Sequence, residues 1–272
     1  MAIITVSRQL GSFGDEIAQK VANGLNYECV DKTKIEEALA IQGVPHNEIE
    51  KYDEKKPAIW DSFIIQKSRY LHLIRAVIYD FAGENNTVIL GRGGQVLLKN
   101  LPGALHVRIV APSGVRLKRI MEREGYDERN GERILQRSDR DSSGYIRYFF
   151  SADWNDQNLY DMIINTKAIS IDTAVEMIQN TTDSPEFKGG FTETLNKLSD
   201  LALQQKAEII IMEMRGNDKL FLASVENGVV TIVGSTDSLK VKEDCEREIS
   251  RLKGVERIKN DILIVKPISY SV

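Results

Sequence analysis

The sequence predicts an α/β domain, a parallel sheet with helices on both faces, followed by a small α+β module. Three observations carry this reading. Short β-branched apolar runs, among them AIITV at 2–6 and TVIL at 87–90, alternate with amphipathic stretches, as buried parallel strands and their crossover helices do. The stretch TTDSPEFKGGF at 181–191 is rich in Ser, Thr, Gly and Pro and reads as a linker. Beyond it, two alternating segments flank Asn227-Gly228, a strong hairpin signal.

The elements follow in order. AIITV is the first strand, and Ile17, Val21 and Leu25 recur at helical spacing after a Gly-containing turn. YECVD is a short strand, and a helix begins near Lys32. Residues 44–60, polar and holding Pro45 and Pro57, read as a loop or short-helix excursion, and 62–82 as a long amphipathic helix. Strands follow at 87–91 and 104–112, the second stopped by Pro112. A basic helix spans 113–124, and another runs from 128 to between 142 and 150, with the polar turn EGYDERNGE between them as a lid candidate. A strand at 160–166 and a helix at 170–180 complete the domain. The domain is placed at 1–182, the linker at 183–191 and the module at 192–272. Within the module come a helix near 192–206, the apolar run AEIIIMEM, the hairpin, a polar helix at 237–252 and the strand VERIKNDILIV.

The 272 residues carry a net charge of −4, which argues against a general nucleic-acid binder. Cys29 and Cys245 have no metal-type spacing and suit a reducing compartment. The N-terminus lacks a signal-peptide pattern, and no apolar run approaches the roughly 18 residues that span a bilayer. A cytoplasmic protein is expected.

TVSRQLGSFGDEIAQKVANGL, from Thr5, is a strand end, a Gly turn and a helix, the layout of a phosphate-binding loop. Gly11 and Gly14 offer backbone turns, but Asp15 and Glu16 stand where a lysine and hydroxyl are usual. The two acids equally suit the helix dipole.

ITVSRQLGSFGDEIAQKVA, VDKTKIEEAL, VILGRGG, RLKRIMEREG and RILQRSDRD stand in the order and spacing of the cytidylate kinase-like family, P-loop nucleoside monophosphate kinases, which residues 1–180 resemble. The resemblance implies a P-loop kinase sheet, ATP and Mg²⁺. The family's first motif resembles S-R-x-x-G-S-G-G-[basic]-E-I, matched at Ser7, Arg8, Gly11, Ser12, Gly14, Glu16 and Ile17. It departs at Phe13, where a side chain limits positive φ, and at Asp15, a negative charge near the expected phosphate. Ser12 and Asp15 are the candidate metal contacts; Arg8, Gly11, Ser12, Phe13, Gly14, Asp15 and Glu16 form the candidate ATP loop.

Phosphoryl transfer needs positive charge around the moving group more than it needs a base. Arg92 follows a strand and, by the resemblance, faces the acceptor phosphate. Arg116, Arg119 and Arg123 share one helix face, as do Arg133, Arg137 and Arg140. A solvated charged face is the plain alternative. The resemblance assigns Arg119, Arg123, Arg137 and Arg140 to the transferring group. It has Asp139 and Asp141 hold the nucleoside or orient an arginine. Asp31 either approaches the acceptor or caps a helix. His46, His72 and His106 show no metal or triad spacing and read as structural; the aromatics Tyr145 to Trp154 read as packing before base stacking.

Asn227-Gly228-Val229-Val230, Gly234 and GVERIKNDILIV resemble a BON domain, a binding module without catalytic chemistry. A membrane surface, a protein partner and homo-oligomerisation are all open for it. The expected function is transfer of the ATP γ-phosphoryl to CMP or a related acceptor. The alternatives are a catalytically weak nucleotide-binding regulator signalling through the module, and kinase chemistry on another small acceptor.

Overall fold

The computed structural model describes residues 2–46, 49, 64–84, 86–189, 191–214 and 221–265. Most of the excursion expected at 44–60 and the start of the helix expected at 62 lie outside them. The described residues divide into two compact units: unit 1 comprises 1–63 and 84–194, and unit 2 comprises 64–83 and 195–272.

Unit 1 is built on a parallel five-stranded sheet, ordered β2-β3-β1-β4-β5. Its strands are β1 (Ile3–Arg8), β2 (Glu28–Val30), β3 (Thr87–Leu90), β4 (Ala104–Val110) and β5 (Met162–Asn165). All pairings are parallel, with Val6 opposite Leu90 on one side and opposite Val107 on the other. The central strands are buried throughout, which is why they read as continuous apolar runs.

One face of the sheet is covered by α1 (Gly14–Leu25). Ile17, Ala18, Val21 and Ala22 join Ile4, Val6, Val88 and Val107 in one apolar core with Ala174 and Ile178 of α7 (Ile171–Thr182). On the other face Thr5 bonds His106 Nδ1 through Oγ1 at 2.8 Å, and burial pushes that imidazole below its ordinary pKa. His106 is structural, as its position within a strand predicts. The unit is completed by α2 (Lys32–Ile41), the short α4 (Gly94–Leu97), α5 (Ser113–Glu124), α6 (Glu128–Phe150) and α8 (Pro185–Lys188). The polar stretch expected as a turn after α5 breaks the helix only at 125–127: Gly125 ends α5 at φ 73°, and the Asp127 carboxylate caps α6 at Asn130 N (2.8 Å).

Unit 2 contains α3 (Ile64–Gly83), α9 (Phe191–Met214), β6 (Leu222–Glu226), β7 (Val229–Thr236), α10 (Leu239–Ser250) and β8 (Arg257–Ile264), although α9 begins a few residues before it. β6 and β7 form the antiparallel hairpin expected at Asn227-Gly228, both at positive φ. Asp200 of α9 accepts both turn N–H groups, at 2.7 and 2.9 Å. β7 and β8 pair in parallel across the α10 crossover. AEIIIMEM is the end of α9 and faces a core of Ala207, Ile211, Val230, Ile232, Cys245 and Ile249. α3 is tied to α9 by Arg69–Glu213 (3.2 Å), His72–Gln205 (2.8 Å) and Lys206–Asp80 (2.8 Å). No described helix is long and apolar enough to cross a membrane.

Candidate active site

The candidate site lies beyond the carboxyl ends of the parallel strands, where open α/β sheets bind ligands. β1 runs into residues 9–13 and then α1. Gly11 takes φ +77°, and a Cβ there would lie 3.0 Å from the Arg116 carbonyl oxygen. Gly14 does a different job from the turn expected of it: it opens α1 in helical geometry, and a Cβ would sit 2.2 Å from the Arg8 Cβ. The α1 N-cap is Phe13, which supplies no side-chain cap, so the first-turn N–H groups stay available to an anion.

Phe13 itself corrects the expectation that a side chain here would avoid positive φ. It sits at φ 64°, ψ 19°. The cost is met by stacking: the Arg119 guanidinium carbon lies 4.0 Å from the Phe13 ring centroid. Phe13→Ala, which keeps the strained geometry and loses the ring, is expected to destabilise unit 1 by about 1–2 kcal/mol, whereas Phe13→Gly relieves the strain and comes out near neutral. Denaturant melts of the two variants check this.

The first arginine stripe runs along this loop. Arg116 is buried and donates to the Leu10 and Ala111 carbonyls (3.2 and 3.1 Å) and bidentately to Asp139 (3.0 and 2.7 Å). Asp139 therefore orients an arginine. Arg119 donates to the Gly11 carbonyl (3.1 Å), to Thr166 Oγ1 (3.0 Å) and to the Thr166 carbonyl (2.6 Å). Thr166 Oγ1 in turn donates to the Ser12 carbonyl (2.9 Å). Desolvation lowers the Arg119 pKa, against an opposing pull from Glu16. Arg123 pairs with Glu16 at 3.2 Å and Glu124 at 2.7 Å. Between the loop and α5 a cavity of about 310 Å³ is lined by Gly11, Phe13, Arg119, Ile120, Glu122 and Arg123.

Of the remaining loop residues, Arg8 pairs with Asp15 at 2.8 Å, and Ser12, fully buried, donates its hydroxyl to the Gln9 carbonyl at 2.7 Å. Asp31 caps α2, accepting from Lys34 N at 3.1 Å. Arg137 and Arg140 are exposed, and their Nε atoms lie 3.5 and 3.9 Å from the buried Asp141. Arg133, one turn before Arg137, lines an open depression at the start of α6.

The second turn of the site follows β3. Gly91, Arg92 and Gly93 all take positive φ, and Gly94 N closes the turn on the Gly91 carbonyl at 3.1 Å. Gly91 N bonds the Val6 carbonyl (3.0 Å), so this turn leaves the sheet beside the β1 loop. Arg92 is 4% exposed, pairs with Glu36 at 3.2 Å and lies 5.6 Å from the Tyr145 ring centroid.

Sequence reasoning passed over three parts of this arrangement. Thr166 stands just after β5, where the rule that located the other motifs would have found it. Arg108 lies inside β4, stacked 4.2 Å from the Trp154 ring centroid and 5.1 Å from that of Tyr160, and donates to the Trp154 carbonyl, Tyr160 Oη (2.9 Å) and Asn155 Oδ1 (2.9 Å). A charge in an otherwise apolar strand was its signal. Gln95 follows the Gly-Arg turn and is buried.

The cytidylate kinase-like resemblance implies a nucleoside triphosphate and a divalent ion here, and the residues present fit the first better than the second. The uncapped α1 N-terminus and the neighbouring guanidinium groups suit a polyphosphate. Among the described residues no cluster of three or more His, Cys, Asp or Glu is placed to hold a metal. Mg²⁺ needs only one or two carboxylates besides phosphate oxygens and water, and Asp15 is the carboxylate at hand; the expected Ser12 contact is not supported, since its side chain is fully buried and its hydroxyl is held by the Gln9 carbonyl.

The model of the cytidylate kinase-like family matches residues 3–168. The chain belongs to that family. Its curated relatives include the cytidylate kinase of Archaeoglobus fulgidus, 29% identical over 68% of this chain and 97% of that one. The cytidylate kinase of Pyrococcus horikoshii is 30% identical over 60% of this chain and 79% of that one. Among solved structures, an uncharacterized protein from Eubacterium ventriosum is similar at 25% identity and a TM-score of 0.55, covering 68% of this chain and 99% of that one.

Proposed function

We propose that the chain is a nucleoside monophosphate kinase that moves the γ-phosphoryl of ATP to CMP or a related acceptor with Mg²⁺. The observation that carries this is the adjacency of two turns: the anion-ready loop after β1 and the Gly91–Gly93 turn after β3 leave neighbouring strands side by side, so donor and acceptor phosphates would meet between them. The N–H groups at the start of α1 hold the donor phosphates, and Arg92 forks onto the acceptor phosphate. Arg119 fixes the loop and lends its charge. Arg123, Arg137 and Arg140, with exposed side chains, supply the charge that gathers around the transferring group. Mg²⁺, when bound, neutralises charge on the phosphates.

A second reading, a weakly catalytic nucleotide-binding regulator, is favoured by Asp15, which occupies the family's basic position and pairs with Arg8. The α9-β6-β7-α10-β8 order and the Asn-Gly hairpin support a BON-like module in unit 2, through which a regulator would work on a partner. The free cysteines Cys29 and Cys245 fit a cytoplasmic setting.

The deciding experiment is Mg-ATP titration followed by an ADP-release assay against CMP, dCMP, UMP and AMP. Turnover with one of them supports the kinase; ATP binding with no turnover on any supports the regulator; no ATP binding sinks both. Asp15→Lys is expected to tighten ATP binding about tenfold, since it removes a like charge and frees Arg8. Unchanged affinity would mean Asp15 serves only the helix and its partner arginine.

A further inference from the structure

Beside Arg92 lies a small cavity of about 20 Å³, lined among others by Ser7, Arg8, Arg92, Gln95, Ser142 and Trp154. It has room for about one water-sized oxygen. No carboxylate lines it among the described residues.

Two of its side chains are neutral donors, Gln95 and Ser7. Gln95 is 2% exposed and its side chain lines this cavity, with no hydrogen bond from its amide to another described side chain. A buried amide is normally satisfied, so one facing a cavity is a vacancy for a ligand atom. Ser7, 3% exposed, accepts the Trp154 Nε1–H at 2.9 Å. The nearby Tyr160 hydroxyl gives its hydrogen to the Trp154 carbonyl at 2.8 Å, and stands 3.4 Å from Ser7 Oγ. The acceptor in reach of the Ser7 hydroxyl hydrogen is then Tyr160 Oη at 3.4 Å, a long contact that a closer ligand oxygen would replace. Arg108, stacked on Trp154 and Tyr160, fixes this arrangement from the core side. Two guanidinium groups, a hydroxyl and an amide around one oxygen-sized space suit an oxyanion. They do not suit a cation, and the space is too small for a nucleobase.

We infer that this cavity takes one oxygen of a tetrahedral oxyanion, the phosphoryl group of the acceptor, and that the Gln95 amide, with the Ser7 hydroxyl, donates to it. Gln95 is then a determinant of whether the acceptor must carry a phosphate. This rests on the reading of the Gly91–Gly93 turn as the acceptor side.

The test is calorimetric titration of the full-length protein with inorganic phosphate, CMP and cytidine, in wild type, Gln95→Glu and Gln95→Met. ATP affinity serves as the control for folding. Glutamate keeps the shape and turns the donor into an anion; methionine keeps the bulk and removes the donor. Methionine is expected to weaken phosphate and CMP about tenfold, and glutamate at least about a hundredfold, with ATP and cytidine unchanged. Phosphate affinity equal to wild type in both variants overturns the inference. So does an equal loss for CMP and cytidine, which would have Gln95 read the nucleoside. The readout is binding without ATP. A protein that transfers no phosphoryl group yet loses phosphate as described defeats the kinase reading and leaves this one standing.

Discussion

Arg119→Ala is expected to lower turnover about 10²–10³-fold, the scale of losing a preorganised charge at a developing oxyanion. The guanidinium does three things at once. It holds the Gly11 carbonyl, it ties Thr166 and through it the Ser12 carbonyl, and it covers the strained Phe13 ring. Alanine removes all three, so the loop loses both its charge and its brace. Arg119→Lys keeps a charge but not the planar fork, and is expected to recover less than about a tenth of the lost rate. Steady-state ADP release with the preferred acceptor checks both variants, and a wild-type rate in the alanine variant would remove Arg119 from the site. The stability of unit 1 is expected to fall as well, by about 1–2 kcal/mol, because alanine removes the same stacking on Phe13 that Phe13→Ala does.

The largest loss of stability is expected at Asp139. Arg116 is buried against α6 and the loop, and its two bonds to Asp139 compensate its charge. Asp139→Ala leaves that guanidinium with two backbone carbonyls only, at a cost of about 3 kcal/mol, the low end for breaking a buried pair because the Asp139 side chain is 31% exposed. Asp139→Asn keeps one acceptor and should lose about half as much. Because the chain has two units, the melt should be followed by hydrogen exchange in α5 and α6 as well as by overall signal. Equal stability in wild type and the alanine variant would show that the carbonyls alone satisfy Arg116.

Much of this was legible in the sequence, and the reason is local. Strand runs buried on both faces, an Asn-Gly hairpin and arginines at i, i+3 and i+7 announce themselves within a few residues. Partnership across the chain does not. Nothing near Arg116 in sequence points to Asp139, and nothing near Arg119 points to Thr166. Asp31 shows the limit from the other side, since the local reading of a helix cap describes its hydrogen bond. Phe13 was misjudged because local propensity was weighed without the guanidinium that covers its ring. AEIIIMEM has no period to separate strand from helix, and packing against the unit 2 core decides for helix.

The place of α3 has a consequence for how the molecule is made. Its partner α9 and the small sheet lie at the far end of the chain, beyond all of β3 to α8. During synthesis α3 leaves the ribosome long before its α9 partners Glu213, Gln205 and Lys206 exist. Unit 2 is therefore a late-closing structure with one early piece, and a chain stopped at the linker leaves that piece with its polar and apolar stripe unclaimed. For the same reason unit 2 cannot be moved between proteins as a simple tail: a graft that carries only the last third of the sequence leaves one of its helices behind.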